Sequence, residues 1–153
     1  MSRKTLIAVE LDEFSANCVL ERAASLVGER DECHIIHVVD PTSVAYAVDL
    51  SLTGIDQEFE ESAIQRAEQR VTELLAKHEF RQPHIRVKIG KVAKVIHDLI
   101  DTEGFDRLII GSHGWHGWQR LLGTHASAIM SRAAVDTWVL KLPARPEQDA
   151  KHS

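Results

Sequence analysis

The chain of 153 residues holds only two cysteines, Cys18 and Cys33, whose spacing fits neither a metal knuckle nor a disulfide framework. It has no excess of basic charge: the formal net charge of −5 gives no electrostatic case for a nucleic-acid binder. No apolar run approaches the roughly 20 residues of a membrane span. The opening MSRKTLIAVELDE starts basic, but acidic residues interrupt its apolar run too early for a secretory leader. These absences point to a cytoplasmic globular protein without nucleic-acid or membrane partners. At this length one domain can bury a real core.

What is present is alternation. Strand-like runs stand at 5–11 (TLIAVEL), 33–39 (CHIIHVV), 85–89 (IRVKI), 107–111 (RLIIG) and 137–142 (TWVLKL). Segments of helical period lie between them. One runs from about Ser15 to Val27 with Gly28 as an expected left-handed cap; another carries Phe59, Ala63, Ala67, Val71, Leu74, Leu75 and His78 on one stripe. A third, over Val92, Val95, Ile96, Leu99 and Ile100, is closed by Gly104, and a fourth starts near Thr124. This order predicts an α/β fold: a single open parallel sheet with helices on both faces. LIAV and LII are continuously apolar, as central strands covered on both sides require. IRVKI and TWVLKL are mixed and suit edges. The strand order 3-2-1-4-5 follows, and with it a crevice where the winding reverses, between strands one and four. The long connection from Asp40 to about Asp56 (apolar VAYAVDLSL) reads as a loop packed on the sheet edge or as a flap.

The fourth strand runs straight into 111-GSHGWHGWQRLLGTHAS-127, with four glycines and three histidines. The spacing is Gly111-x2-Gly114, eight residues, then Gly123-Thr124 opening a helix. Unpaired N–H groups and the positive dipole end at a helix start attract an anion, and glycine lets backbone approach a phosphate closely. Neither a GxxxxGK[ST] loop nor a GxGxxG fingerprint occurs here. On spacing alone the stretch is either a phosphate cradle or a set of tight turns.

TLIAVE near the start, IIHVVDP after strand two, and IIGSHGWHGWQRLLGTHASAIMSRA followed by VDTWVLKLP together resemble the universal stress protein family, over about residues 3–142. The G-x2-G, eight or nine residues, G-[S/T] pattern is that of its nucleotide-binding branch. The resemblance implies a Rossmann-like fold of the adenine nucleotide alpha hydrolase type over residues 1–143, with 144–153 a disordered tail. It further implies a homodimer through the last strand. The implied function is a nucleotide-responsive regulator of the stress response that binds ATP or a related adenine nucleotide, with Mg²⁺ or Mn²⁺ as accompanying cation. The implied site is Ala8, Val9, Glu10, Val38, Ile110, Gly111, Gly114, Gly123, Thr124, His125, Ala126 and Ser127. Two positions depart from the family: Glu10 stands where Asp is usual, and Ala126 lacks a hydroxyl. The competing reading is a dimeric interaction module of the same family that binds no nucleotide.

Other residues have plainer readings. His113, His116 and His125 read as loop histidines rather than metal ligands, and Trp115 and Trp118 as packing or contact with a protein partner. His37 reads as a satisfied core histidine, the cysteines as packing residues, and 56-DQEFEE-61 as the solvated start of a helix. Glu10 and Asp12 lie near the crevice without the pattern of a metal-bound, water-activating site. No general base is evident, so very slow ATP hydrolysis is the most that enzymatic activity could amount to here.

Overall fold

The computed structural model describes residues 2–40, 57–111 and 135–143. Five strands, β1 (Lys4–Ala8), β2 (Glu32–Val39), β3 (His84–Ile89), β4 (Arg107–Gly111) and β5 (Asp136–Leu140), form one sheet in the order β3-β2-β1-β4-β5. Every neighbouring pair is parallel. The central strands carry the continuous apolar runs because each of their faces is covered. Leu6, Ala8, Ile36, Leu108 and Ile110 pack under helix α3 (Val92–Glu103). Ile7, Val9, Ile35 and Ile109 pack under α1 (Glu13–Leu26) and α2 (Gln57–Leu75). Each fully buried Leu or Ile contributes about 1.5–3 kcal/mol, so this two-sided core is the main stabilising element.

Several boundaries moved for identifiable reasons. Helix α1 starts two residues before the expected Ser15, because the Asp12 carboxylate accepts the Ser15 N–H at 2.9 Å and caps it. β1 ends at Ala8 rather than residue 11, since the chain turns at once into that cap. β5 ends at Leu140 rather than residue 142, although Leu142 stays buried against the α1 layer. Gly28 is not a left-handed cap: Val27 closes α1 in extended conformation, and Gly28 N–H instead donates to Asp31 Oδ2 at 2.7 Å. Gly104 does take the expected left-handed conformation, with φ 71° and its N–H on Ile100 O at 3.1 Å. Both cysteines are free, Cys33 buried and Cys18 partly so. The fourth helix, the 41–56 connection and the 144–153 tail lie outside the described residues.

The N-terminal edge of the sheet is tied by side chains. Asp31 accepts Arg3 N–H at 2.9 Å as well as Gly28 N–H, and faces Arg107 Nη2 at 3.4 Å. The buried Arg107 guanidinium donates to Thr5 Oγ1 at 3.3 Å and lies over the Trp138 ring at 4.6 Å. Asp106 Oδ2 accepts Lys4 N–H at 2.8 Å, and Arg86 grips Glu103 through both oxygens at 2.8 and 2.7 Å.

Candidate functional site

β1 has β2 on one side and β4 on the other. The β1–β4 register runs to Ile7↔Ile109, and in an open sheet of this order the ligand crevice is expected beyond it, at the C-terminal ends of these two strands. Ala8 closes β1 and Gly111 closes β4. The register Ile7↔Ile109, carried one step on, sets Ala8 level with Ile110. Val38, near the end of β2, packs in the same cluster as Ala8 and Ile110. Ala8 and Ile110, 3% and 0% exposed, belong to the core beneath α3, and of the three only Val38 is partly exposed.

Val9 and Gly111 face the other way. Val9 is buried in the α1 layer, and its N–H donates to Ile36 O at 2.9 Å. A Cβ on Gly111 would lie 2.8 Å from Val19 Cγ2 and 3.2 Å from Leu142 Cδ1. The missing side chain of Gly111 is therefore already demanded by packing between α1 and the segment after β5. Glu10 follows Val9 and is partly exposed at the crevice mouth. Asp12, the other acid close by, is engaged in capping α1.

His37 closes the β2 side. Its Nδ1 lies 2.9 Å from Val9 O, and a carbonyl only accepts, so Nδ1 carries the proton. Burial pushes its pKa down while the bond to Val9 O partly opposes the shift, so the ring is held neutral. The expectation of a satisfied histidine agrees with this arrangement. Its bond ties the exit of β1 to β2.

The strand-end residues expected at the site, Ala8, Val9, Glu10, Val38, Ile110 and Gly111, thus converge on one end of the sheet. Gly114, Gly123, Thr124, His125, Ala126 and Ser127 lie outside the described residues, as do His113, Trp115, His116, Trp118 and Arg120. A polar group that the sequence reading passed over sits at the opposite end, where Glu32, His34 and His84 converge. The signal was there: residues 32 and 34 share a strand face, and the order 3-2-1 brings β3 alongside.

An open parallel sheet of this order, with a crevice at its winding reversal, defines a Rossmann-like α/β protein. Comparison then narrows the class. The model of the universal stress protein family matches residues 1–141. The chain is 31% identical over 144 residues to Universal stress protein A homolog 2 of Coxiella burnetii, a match that covers 92% of this chain and 95% of the relative. Homolog 1 of the same organism is 30% identical over 134 residues, covering 86% and 90%. The protein belongs to the universal stress protein family. Among solved structures, the hypothetical protein MJ0577 superimposes with a TM-score of 0.69 at 17% identity, covering 94% of this chain and 98% of that one. A universal stress protein in complex with cAMP superimposes with 0.57 at 16% identity, covering 91% and 96%. Among the described residues no helix is long and apolar enough to cross a membrane.

Proposed function

We propose that this chain binds an adenine nucleotide, ATP or a close relative, across the C-terminal ends of β1, β2 and β4, and acts in the cytoplasm as a nucleotide-responsive homodimer in a stress response. The observation that carries the reading is the partly exposed Val38 at the end of β2, beside the winding reversal of the sheet and over the buried Ala8 and Ile110. It suits the face of a planar base, with Glu10 beside it for the polar edge. The ribose and phosphates fall to Gly111, Gly114, Gly123, Thr124, His125, Ala126 and Ser127, where a glycine-flanked helix start supplies N–H donors. Mg²⁺ or Mn²⁺ would neutralise phosphate charge. The relative solved with cAMP lends support to an adenine ligand. No catalytic role is assigned to any residue.

The dimer would form through β5, bonded among the described residues only to β4, with Val139 at 37% exposure. Trp138 is already covered by Arg107, and Leu140 and Leu142 are buried, so the contact would rest on backbone pairing and Val139. A second reading, a dimeric interaction module without nucleotide, is favoured by Gly111, whose lack of a side chain packing alone explains.

Mass spectrometry of small molecules released by denaturing the purified chain, with calorimetry against ATP, AMP and cAMP, tests the proposal. Nucleotide near one per chain, lost in Gly114→Val with the melting temperature retained, is the expected result. No nucleotide, and no heat at millimolar ATP with Mg²⁺, would leave the interaction module standing.

A further inference from the structure

At the N-terminal edge of the sheet, far from the crevice, Glu32 and His34 project from the same face of β2, and the β2–β3 register pairs His34 with His84. His34 Nε2 lies 2.6 Å from Glu32 Oε1, His84 Nε2 lies 3.9 Å from the same oxygen, and one donor atom from each residue falls within 4.8 Å of the others. The two imidazoles stack at 4.5 Å with an interplanar angle of 19°, and Phe105 meets His34 edge-on at 5.0 Å. We infer that Glu32, His34 and His84 form a binding site for a borderline divalent cation of the zinc, nickel and copper class. Two imidazole nitrogens and one carboxylate are the donors this class prefers, and three protein ligands leave a fourth position for water.

Ligation by both rings requires the half-exposed His84 to turn out of its stack on His34, because a metal lies near the plane of each imidazole it binds. Around tetrahedral zinc, donors at about 2.0–2.2 Å from the metal stand roughly 3.3 Å from one another. Glu32 and His34 must therefore separate by under about 1 Å, and the His84 donor must close on them by up to about 1.5 Å. Glu32 and His84 are the movable partners, with side chains 50% and 56% exposed, while His34 is the buried anchor at 8%. Arg86 Nη1 stands 3.4 Å from His34 Nδ1. A guanidinium only donates, so without metal Nδ1 accepts and the ring proton sits on Nε2, donated to Glu32. That bond is the chief reason the Glu32 carboxyl is held below its usual pKa. Metal entry moves this proton from Nε2 to Nδ1, with no net change in protonation of a neutral ring. Arg86 Nη1, which also donates to Glu103 at 2.8 Å, must then swing off the ring, since two donors cannot share that contact.

The test uses the untagged full chain, stripped with a chelator and titrated with zinc against a chromophoric competitor, while melting is followed with and without zinc. The expected result is one zinc per chain and a rise in melting temperature. Glu32→Gln and His84→Ala, both surface changes, should each weaken uptake by about tenfold or more, which even loss of an outer-shell partner achieves. The melting rise should vanish in His84→Ala. Failure of the parent chain to take up zinc would overturn the inference. So would uptake that both variants leave intact, since the metal would then reside elsewhere, for instance on His113, His116 or His125. Nucleotide calorimetry on the same variants reads the crevice separately.

Discussion

The two ends of the sheet are built by opposite means. At the N-terminal end, charged side chains reach across the chain: Asp31 to Arg3 and Arg107, Arg107 to Thr5 and Trp138, Asp106 to Lys4, and Arg86 to Glu103. At the C-terminal end the strand termini are mostly apolar, and the links named there are short: the His37–Val9 bond and the Asp12 cap. One end fastens strands together through long charged side chains; at the other the strand termini Ala8, Val9, Ile110 and Gly111 are held by packing. On the function proposed above, the nucleotide would draw on residues separate from those that fasten the N-terminal end.

The strongest way to break the comparison is at Asp31. Asp31→Ala leaves the buried Arg107 guanidinium without its carboxylate and should lower unfolding free energy by about 3 kcal/mol in denaturant titrations. If the two ends are independent, nucleotide affinity of the folded fraction should be unchanged. The Asp31 carboxyl is held below its ordinary pKa, first by Gly28 N–H, then by Arg3 N–H, with Arg107 adding attraction. Its stabilising share is thus fully present above the unfolded value near ~3.9 and is lost as pH falls through the lower folded value. Acid melting curves of the parent should steepen there, and those of Asp31→Ala should not.

Gly111 sharpens the comparison from the other end. Gly111→Ala places a methyl 2.8 Å from Val19 Cγ2 and should destabilise by about 1–3 kcal/mol. Adding Val19→Ala should recover part of that loss if packing is the cause, measured as a double-mutant cycle. Gly104→Ala forces a side chain into the left-handed region at φ 71°, for a loss of roughly 1–2 kcal/mol and no change at either edge. The smallest effect belongs to His37. Because burial depresses its folded pKa, the unfolded chain takes up a proton first as pH falls below about 6.5. Stability therefore declines from there to the lower folded pKa and is flat above. His37→Gln should remove that slope in unfolding measured between neutral and mildly acid pH.

Much of this fold was legible. Continuous LIAV and LII against alternating IRVKI were enough to rank strands as central or edge, because covering one face or two dictates the pattern. Helix starts were less legible: Asp12 was read as an acid near a crevice, and only coordinates reveal that its oxygen faces the Ser15 N–H. Gly28 misled because glycine after a helix usually signals a left-handed cap, whereas here the Asp31 side chain closes the turn. The strand-end half of the candidate site came partly from position, which gave Glu10 and Gly111, and partly from the family resemblance, which gave Ala8, Val38 and Ile110. The Glu32–His34–His84 group stayed hidden because its third member comes from a residue 50 positions away, paired with His34 by register. Nothing local marks His84.

Gly111 also bears on how much information a motif holds. Either reading, ligand contact or helix packing, requires glycine there, so finding one does not separate the two. A pattern that opens with this residue is diagnostic only through its later letters: Gly114, Gly123 and Thr124. In comparing relatives of this chain, position 111 should be weighted as a signature of the fold, and the remaining three as the test of what the crevice holds.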